Sequence, residues 1–271
     1  MRRHVFLIAA LAVMATALTT TAAGPQIAAH RGGALLWPEN SLLAFRNALG
    51  LGADFLETDI HLTADGEVVV MHDPTLDRTS TGRGAIKDAR FAELEGVRLK
   101  AADGSVTDER VPTLAGLLDV LAGSRTARLL LEIKVGPGRQ PYAGIEEKSL
   151  ALVKARGLLD RVVIMAFEDA TLVRVRATEP SARRLLLVGL GRATGRSARD
   201  IVGWVTALGA PELGIDHTVL TPDVMTAARA AGLRVSAWTV NEEADIRRVI
   251  GLGVDVVISD RPDLAKKLVA P

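Results

Sequence analysis

Two kinds of segment alternate along the chain once the first two dozen residues are past. Short runs, apolar on nearly every position, recur to the C-terminus, and longer stretches between them place apolar residues at helical spacing. The short runs predict strands at Ile27–His30, Phe55–Ile60, Arg128–Lys134, Val162–Phe167, Arg184–Val188, Glu212–Asp216, Arg234–Thr239 and Asp255–Ser259. Strands apolar on both faces are those buried on both faces, as in parallel sheets covered by helices. Helical patterns such as Asp223–Ala231 and Glu242–Ile250 fall between them, and several run up to a glycine (Gly157, Gly232, Gly251). Pro38-Glu39-Asn40-Ser41 opens the first helix, with Asn40 or Ser41 as N-cap. Eight β-α units over roughly 250 residues predict an α/β fold of the TIM (β/α)8 barrel type rather than an open doubly wound sheet. One stretch, Asp73 to Arg110, breaks the rhythm and carries Gly82, Gly84, Gly96 and Gly104. It reads as an insertion of about residues 73–110 that follows a hairpin on the second strand and covers the barrel mouth.

That hairpin is the densest part of the sequence. In ETDIHLTADGEVVVMH, Glu57 and Asp59 are two apart and share one face of a strand. Asp65-Gly66 signals a tight turn, and Val68-Val69-Val70 leads back to His72. A two-residue turn sets His72 opposite position 59, and one more loop residue slides it towards Glu57. Either way two carboxylates and an imidazole meet near one point.

The N-terminus has a different character. Met1-Arg2-Arg3-His4 precedes an apolar run from Val5 to about Leu18 and small residues to Thr21-Ala22-Ala23. This reads as a signal peptide over residues 1–23, cleaved near Ala23, with residues 24–271 forming the barrel. The run is shorter than the roughly 20 apolar residues of a spanning helix, so no stable membrane insertion is expected after cleavage, and the protein is expected to be exported, periplasmic or secreted. The formal charge of +1 gives no field that would draw nucleic acid. With no cysteine, disulfides and thiolate metal sites are excluded.

The C-terminal ends of barrel strands carry the chemistry in this fold. Here those ends offer His30-Arg31, Glu57 and Asp59, Glu132 and Lys134 in LEIK, and Trp238, with His72 on the hairpin's return. Three carboxylates without cysteine suit a hard divalent ion, Mg²⁺, Ca²⁺ or Mn²⁺, better than Zn²⁺. The bland alternative is a rim of salt bridges to Arg31 and Lys134. Two of only five histidines fall at strand tips, the arrangement general acid–base chemistry requires. Arg31 and Lys134 supply the positive charge a phosphate needs.

The ordered set IAAHRGGALLWPENSLLAFRNAL, GADFLETDIHLTADGEVVVMHDPTLDRTSTGRG, VPTL, LLLEIK, VSAWTVN and GVDVVISDRPD resembles the glycerophosphodiester phosphodiesterases, from about Ile27 to Pro262. The resemblance implies a TIM barrel that hydrolyses small-molecule glycerophosphodiesters to sn-glycerol 3-phosphate and an alcohol with one divalent ion, Ca²⁺ or Mg²⁺. It implies His30 and His72 as the acid–base pair and Glu57, Asp59 and Glu132 as metal ligands. Arg31 and Lys134 would contact phosphate, Trp238 would wall the glycerol, and Glu39 would stand at the edge of the site. The chain departs from the family pattern at Ala166, where a Ser often precedes the Phe that is Phe167 here, and at Arg90 and Ala92, which bears on alcohol specificity rather than chemistry. Two other readings compete. One is a phosphoinositide-type phospholipase C, which stops at a cyclic phosphate. The other is a secreted barrel that only binds ligand, in which loss of a histidine or a metal acid would be expected. A sphingomyelinase D-like enzyme shares the barrel logic, but the missing cysteines and the long insertion argue against it.

Overall fold

A computed structural model describes residues 24–269; the segment read as a signal peptide lies outside the described residues. The strands are β1 (Gln26–Ala29), β2 (Phe55–Leu62), β3 (Val68–Val70), β4 (Arg98–Lys100), β5 (Val106–Arg110), β6 (Arg128–Ile133), β7 (Val162–Ala166), β8 (Arg183–Val188), β9 (Glu212–Asp216), β10 (Arg234–Trp238) and β11 (Val256–Ser259). Eight of them, β1, β2 and β6 to β11, run parallel. The order β1-β11-β10-β9-β8-β7-β6-β2 is closed by pairing of β1 with β2, with helices between successive strands. This is the TIM barrel that the alternating pattern predicts. Among the described residues no helix is long and apolar enough to cross a membrane.

Inside the barrel, alternate side chains of each strand fill the lumen. Ala28, Phe55, Leu130, Val163, Met165, Leu185, Leu187, Val256 and Ile258 form one buried cluster, with Phe167 and Trp238 at its upper edge. The inward series on β2 runs Phe55, Glu57, Asp59, and on β6 Leu130, Glu132. Parallel pairing sets Phe55 beside Arg128 and Asp59 beside Glu132. The lumen is therefore apolar in its middle and acidic above, while Arg128, Arg183 and Arg234 gather around buried Glu212 at its lower end. The outer faces of the strands bury against the helices in two larger clusters, one built around Phe45 and Leu118, the other around Val188 and Ile215.

The hairpin follows a longer turn than its Asp-Gly pair suggests. Thr63 N donates to Glu67 O at 3.0 Å and Gly66 N to Thr63 O at 3.0 Å, with Gly66 at φ +84°, so the loop holds three residues. Ile60 then pairs with Val70, and Met71 N donates to Asp59 O. His72 thus stands one step nearer Glu57 than a two-residue turn would place it. The segment from Asp73 on packs a small core of its own. Met71, Leu76, Ile86, Leu94, Leu99 and Val111 are buried together with Val69, and β4 pairs with β5 as an antiparallel hairpin.

The first helix, Leu42–Gly50, is capped by Ser41, whose Oγ accepts from Ala44 N at 3.0 Å. Of the two candidate caps, Asn40 is used elsewhere, as the site shows. At the far end of the helix Glu243–Gly251, the left-handed residue is Gly253, not the Gly251 that the sequence suggests.

Between β1 and that first helix the chain makes a tight turn through His30–Gly32. Gly32 sits at φ +82°, and a Cβ there would lie 2.7 Å from Ala44 Cβ and 3.1 Å from the Ala44 carbonyl carbon. Gly32→Ala is expected to lower unfolding free energy by about 1–3 kcal/mol, measured by urea denaturation. An unchanged midpoint would show that the turn tolerates a side chain.

Candidate active site

Every residue singled out from the sequence lies at the C-terminal end of the barrel. Glu57, Asp59 and Glu132 are buried, at 2%, 1% and 7% exposure, and each offers an oxygen within 4.8 Å of the others. Three carboxylates in so small a space repel one another, and desolvation adds to the cost. Two cations offset it. Lys134 Nζ lies 2.9 Å from Glu132 and 3.3 Å from Asp59, and Arg31 Nε lies 3.6 Å from Asp59. The backbone contributes as well, since Arg31 N donates to Glu57 at 2.8 Å. The HRG turn delivers that N–H, with Arg31 itself in the left-handed region at φ 51°.

These neighbours split the behaviour of the acids. Burial pushes Glu57 up to about 8, against the pull of His30. Burial raises Glu132 too, with Lys134 opposing. Asp59 is equally buried, but Lys134, His72, Arg31 and His30 together hold it well below the usual carboxylate range. Asp59 also receives Asn40 Nδ2 at 3.0 Å, while Asn40 Oδ1 accepts from Thr58 at 2.8 Å. Asp59 Oδ1 is buried and, among the described residues, accepts no hydrogen bond. That oxygen has Lys134 Nζ beside it at 3.3 Å as an ion pair. Two cations against three clustered carboxylates leave room for a hard divalent ion, and the cluster can bind one.

The two histidines flank the acids, and each is fixed at Nδ1 by an aspartate. His30 Nδ1 is 2.7 Å from Asp260, which Asn241 Nδ2 also reaches at 2.7 Å, and His30 Nε2 lies 3.9 Å from Glu57. His72 Nδ1 is 2.6 Å from Asp73. An aspartate on Nδ1 selects the tautomer and leaves Nε2 for chemistry. Burial lowers the affinity of His30 for its proton, but Glu57 and Asp260 outweigh it and the pKa is raised. For His72 burial prevails over the pull of Asp59, and the pKa is lowered.

Further groups hold this frame in place. Arg78 donates to both oxygens of Asp73, at 2.6 and 2.9 Å, and to both oxygens of Glu39, at 3.0 and 2.9 Å. Glu39 in turn accepts from Arg31 at 3.2 Å. Buried His61 stands 3.0 Å from the carbonyl of His72 through Nε2 and 2.8 Å from the Tyr142 hydroxyl through Nδ1. The carbonyl can only accept, so Nε2 donates to it and Nδ1 accepts from Tyr142. Asp73, Arg78, Asp260, Asn241, His61 and Tyr142 were not among the residues drawn from the sequence. Asp73 and Asp260 have a visible signal, each being an acid beside a histidine or at the last strand's tip. His61 lies within the quoted hairpin sequence but 81 positions from Tyr142, and nothing local pairs the two.

His30, Arg31, Glu57, His72, Glu132, Lys134 and Trp238 line one pocket, with Met165, Phe167 and Leu187 as its apolar wall. Trp238 stands edge-on to Phe167 at 5.4 Å, with its indole Nε1 buried and, among the described residues, without a hydrogen-bond partner. Glu39 lines the adjoining cleft instead. The departures from the family pattern fall away from both: Ala166 is wholly buried in the strand–helix core, while Arg90 and Ala92 belong to the insertion near the β2–β3 turn.

The model of the glycerophosphoryl diester phosphodiesterase family matches residues 30–264. The chain belongs to this family. It is 32% identical over 246 residues to the glycerophosphodiester phosphodiesterase of Caldanaerobacter subterraneus subsp. tengcongensis, covering 90% of this chain and 97% of that one. Its fold is similar to the crystal structure of glycerophosphodiester phosphodiesterase from Agrobacterium tumefaciens, with TM-score 0.75, 28% identity, and coverage of 90% and 99%. It is also similar to a phosphodiesterase of Oleispira antarctica solved in complex with the product sn-glycerol 3-phosphate, with TM-score 0.78, 28% identity, and coverage of 91% and 97%. The family makes this chain an enzyme, a phosphodiester hydrolase.

The raised Glu57 carboxyl has a consequence for stability. The folded protein keeps that proton at pH values where the unfolded chain has lost it, so stability falls as pH rises from the ordinary carboxylate range through about 8. Urea denaturation of chelator-treated protein across that range is expected to show the decline, and Glu57→Gln is expected to flatten it. A slope unchanged by the substitution would assign the pH dependence to other groups.

Proposed function

We propose that the protein hydrolyses glycerophosphodiesters to sn-glycerol 3-phosphate and an alcohol, with a divalent ion, Ca²⁺ or Mg²⁺, held by Glu57, Asp59 and Glu132. The observation that carries this reading is the pairing of a buried three-carboxylate cluster with two imidazoles, each anchored at Nδ1 by its own aspartate. The family match and the product complex of the Oleispira antarctica relative support the substrate class.

When bound, the ion supplies Lewis-acid polarisation of the phosphate. The chain's own residues do the remainder. Arg31 and Lys134 neutralise the charge that builds on the phosphoryl oxygens. Met165, Phe167 and Trp238 exclude water around the glycerol. One imidazole, His30 or His72, takes the proton of the glycerol 2-hydroxyl as that oxygen attacks phosphorus. The other gives a proton to the departing alcohol, leaving a cyclic phosphate. Water then opens the ring with the two imidazoles exchanging roles, which restores both protonation states. Glu39, through Arg31 and Arg78, keeps the cations aligned at the edge.

Replacement of either histidine by Ala is expected to lower kcat by about 10²–10⁴-fold, with circular dichroism unchanged. Glu57→Gln is expected to remove stimulation by added Ca²⁺ or Mg²⁺. Assay of glycerophosphocholine turnover with phosphorus NMR reads both effects and the product. Near-normal turnover by His72→Ala would remove it from the reaction, and a cyclic phosphate as end product would favour a lyase of the phospholipase C type.

We further propose that the enzyme acts outside the cytoplasm, on the strength of the basic and apolar opening of residues 1–23. N-terminal sequencing of exported protein is expected to begin near Gly24. A start at Met1 in a soluble cytoplasmic fraction would overturn this.

A further inference from the structure

The pocket between the two histidines is narrow, about 90 Å³, and suits one end of a diester. Two larger clefts open from it. The one past His72, about 340 Å³, runs along the loop after β6 and ends where Arg139 pairs with Glu168. The one past His30, about 540 Å³, shares His30, Arg31 and Thr239 with the central pocket and is closed on its far side by Lys100, Ala101, Ala102 and Gly104 of the β4–β5 hairpin.

The charges in the larger cleft are nearly all committed. Arg31 is held by Glu39 and Asp59, and Arg78 by Asp73 and Glu39. Asp260 is taken up by His30 and Asn241. Lys100 differs, for among the described residues no carboxylate lies within ion-pair reach of it. Its backbone is fixed, with N donating to Thr79 O at 2.8 Å, so the ammonium hangs from a strand rather than a free loop. No phenylalanine, tyrosine or tryptophan lines this cleft, whereas a quaternary ammonium is recognised by the faces of such rings. Ala34, Leu35 and Ala102 offer apolar contact to a carbon skeleton.

We propose that this cleft seats the leaving alcohol, and that Lys100 selects an alcohol that carries a negative charge, such as a phosphate monoester or a carboxylate. The proposal rests on the phosphodiesterase reading above and names the part of the substrate that reading leaves open. The insertion thereby acts as the specificity wall of the barrel, with its hairpin facing the head group while the histidines and acids handle the phosphate.

The test compares kcat/KM for three glycerophosphodiesters whose leaving alcohols are choline, glycerol and a glycerol bearing a terminal phosphate. At low ionic strength the wild-type enzyme is expected to favour the phosphate-bearing alcohol over choline. Lys100→Glu is expected to shift that ratio towards choline by on the order of tenfold, Lys100→Met by less, and added salt should shrink the preference. Arg139→Glu, on the opposite side, should leave the ratio alone. An unaltered ratio in Lys100→Glu, including an equal fall on all three substrates, would overturn the proposal. So would a reversal produced by Arg139→Glu, which would put the alcohol past His72. No turnover of any diester by the wild type would instead sink the phosphodiesterase reading itself.

Discussion

Three carboxylates buried at one end of an apolar lumen are the constraint around which the structure is arranged. Each would cost several kcal/mol if left unpaired in such a place. The chain meets the cost with groups from separate elements: a guanidinium and a backbone N–H from the turn after β1, an ammonium two residues beyond Glu132, and an amide from Asn40 before the first helix. Among the described residues these groups leave Asp59 Oδ1 without a hydrogen bond. Lys134 stands 3.3 Å from that oxygen as an ion pair, yet two cations still face three carboxyl groups, and this is why the cluster reads as a place for a further cation and an anionic ligand.

The imidazoles belong to the same arrangement. Asp260 and Asp73 hold Nδ1 of His30 and His72, and both aspartates are braced in turn, by Asn241 in one case and Arg78 in the other. Arg78 also grips Glu39, so the start of the insertion and the loop after β1 are tied across the mouth by one guanidinium. Orientation at the site is thus a property of a connected network rather than of single contacts.

Much of this was legible in the sequence because it obeys short periods. Glu57 with Asp59, and Glu132 with Lys134, are two apart on strands, and alternation alone puts each pair on one face. The eight strands show because burial on both faces leaves runs such as Leu129-Leu130-Leu131 almost free of polar residues. What the sequence hid depends on distance along the chain. Tyr142 meets His61 across 81 positions, and no local pattern marks such a partner; Asp260 shows as an acid at a strand tip, but nothing local ties it to His30, 230 positions away. The choice between Asn40 and Ser41 as cap was undecidable for a related reason. Both are good N-caps, and only the buried oxygen of Asp59 explains why Asn40 is spent elsewhere. The hairpin register moved by one because Gly66, not the Asp65-Gly66 pair, carries the turn.

That three-residue turn works as a ruler. His72 reaches the acids by returning along the strand that bears them, so its offset from Glu57 and Asp59 is set by the handful of positions between Leu62 and Val68. Everything from Asp73 to β6 lies downstream of that measurement. Beyond Asp73 and Arg78, which orient His72, the covering segment can lengthen or shorten without altering the gap between imidazole and carboxylates, whereas one residue gained or lost at the bend would displace it. A barrel built this way can remodel its rim freely while its reactive centre stays in gauge.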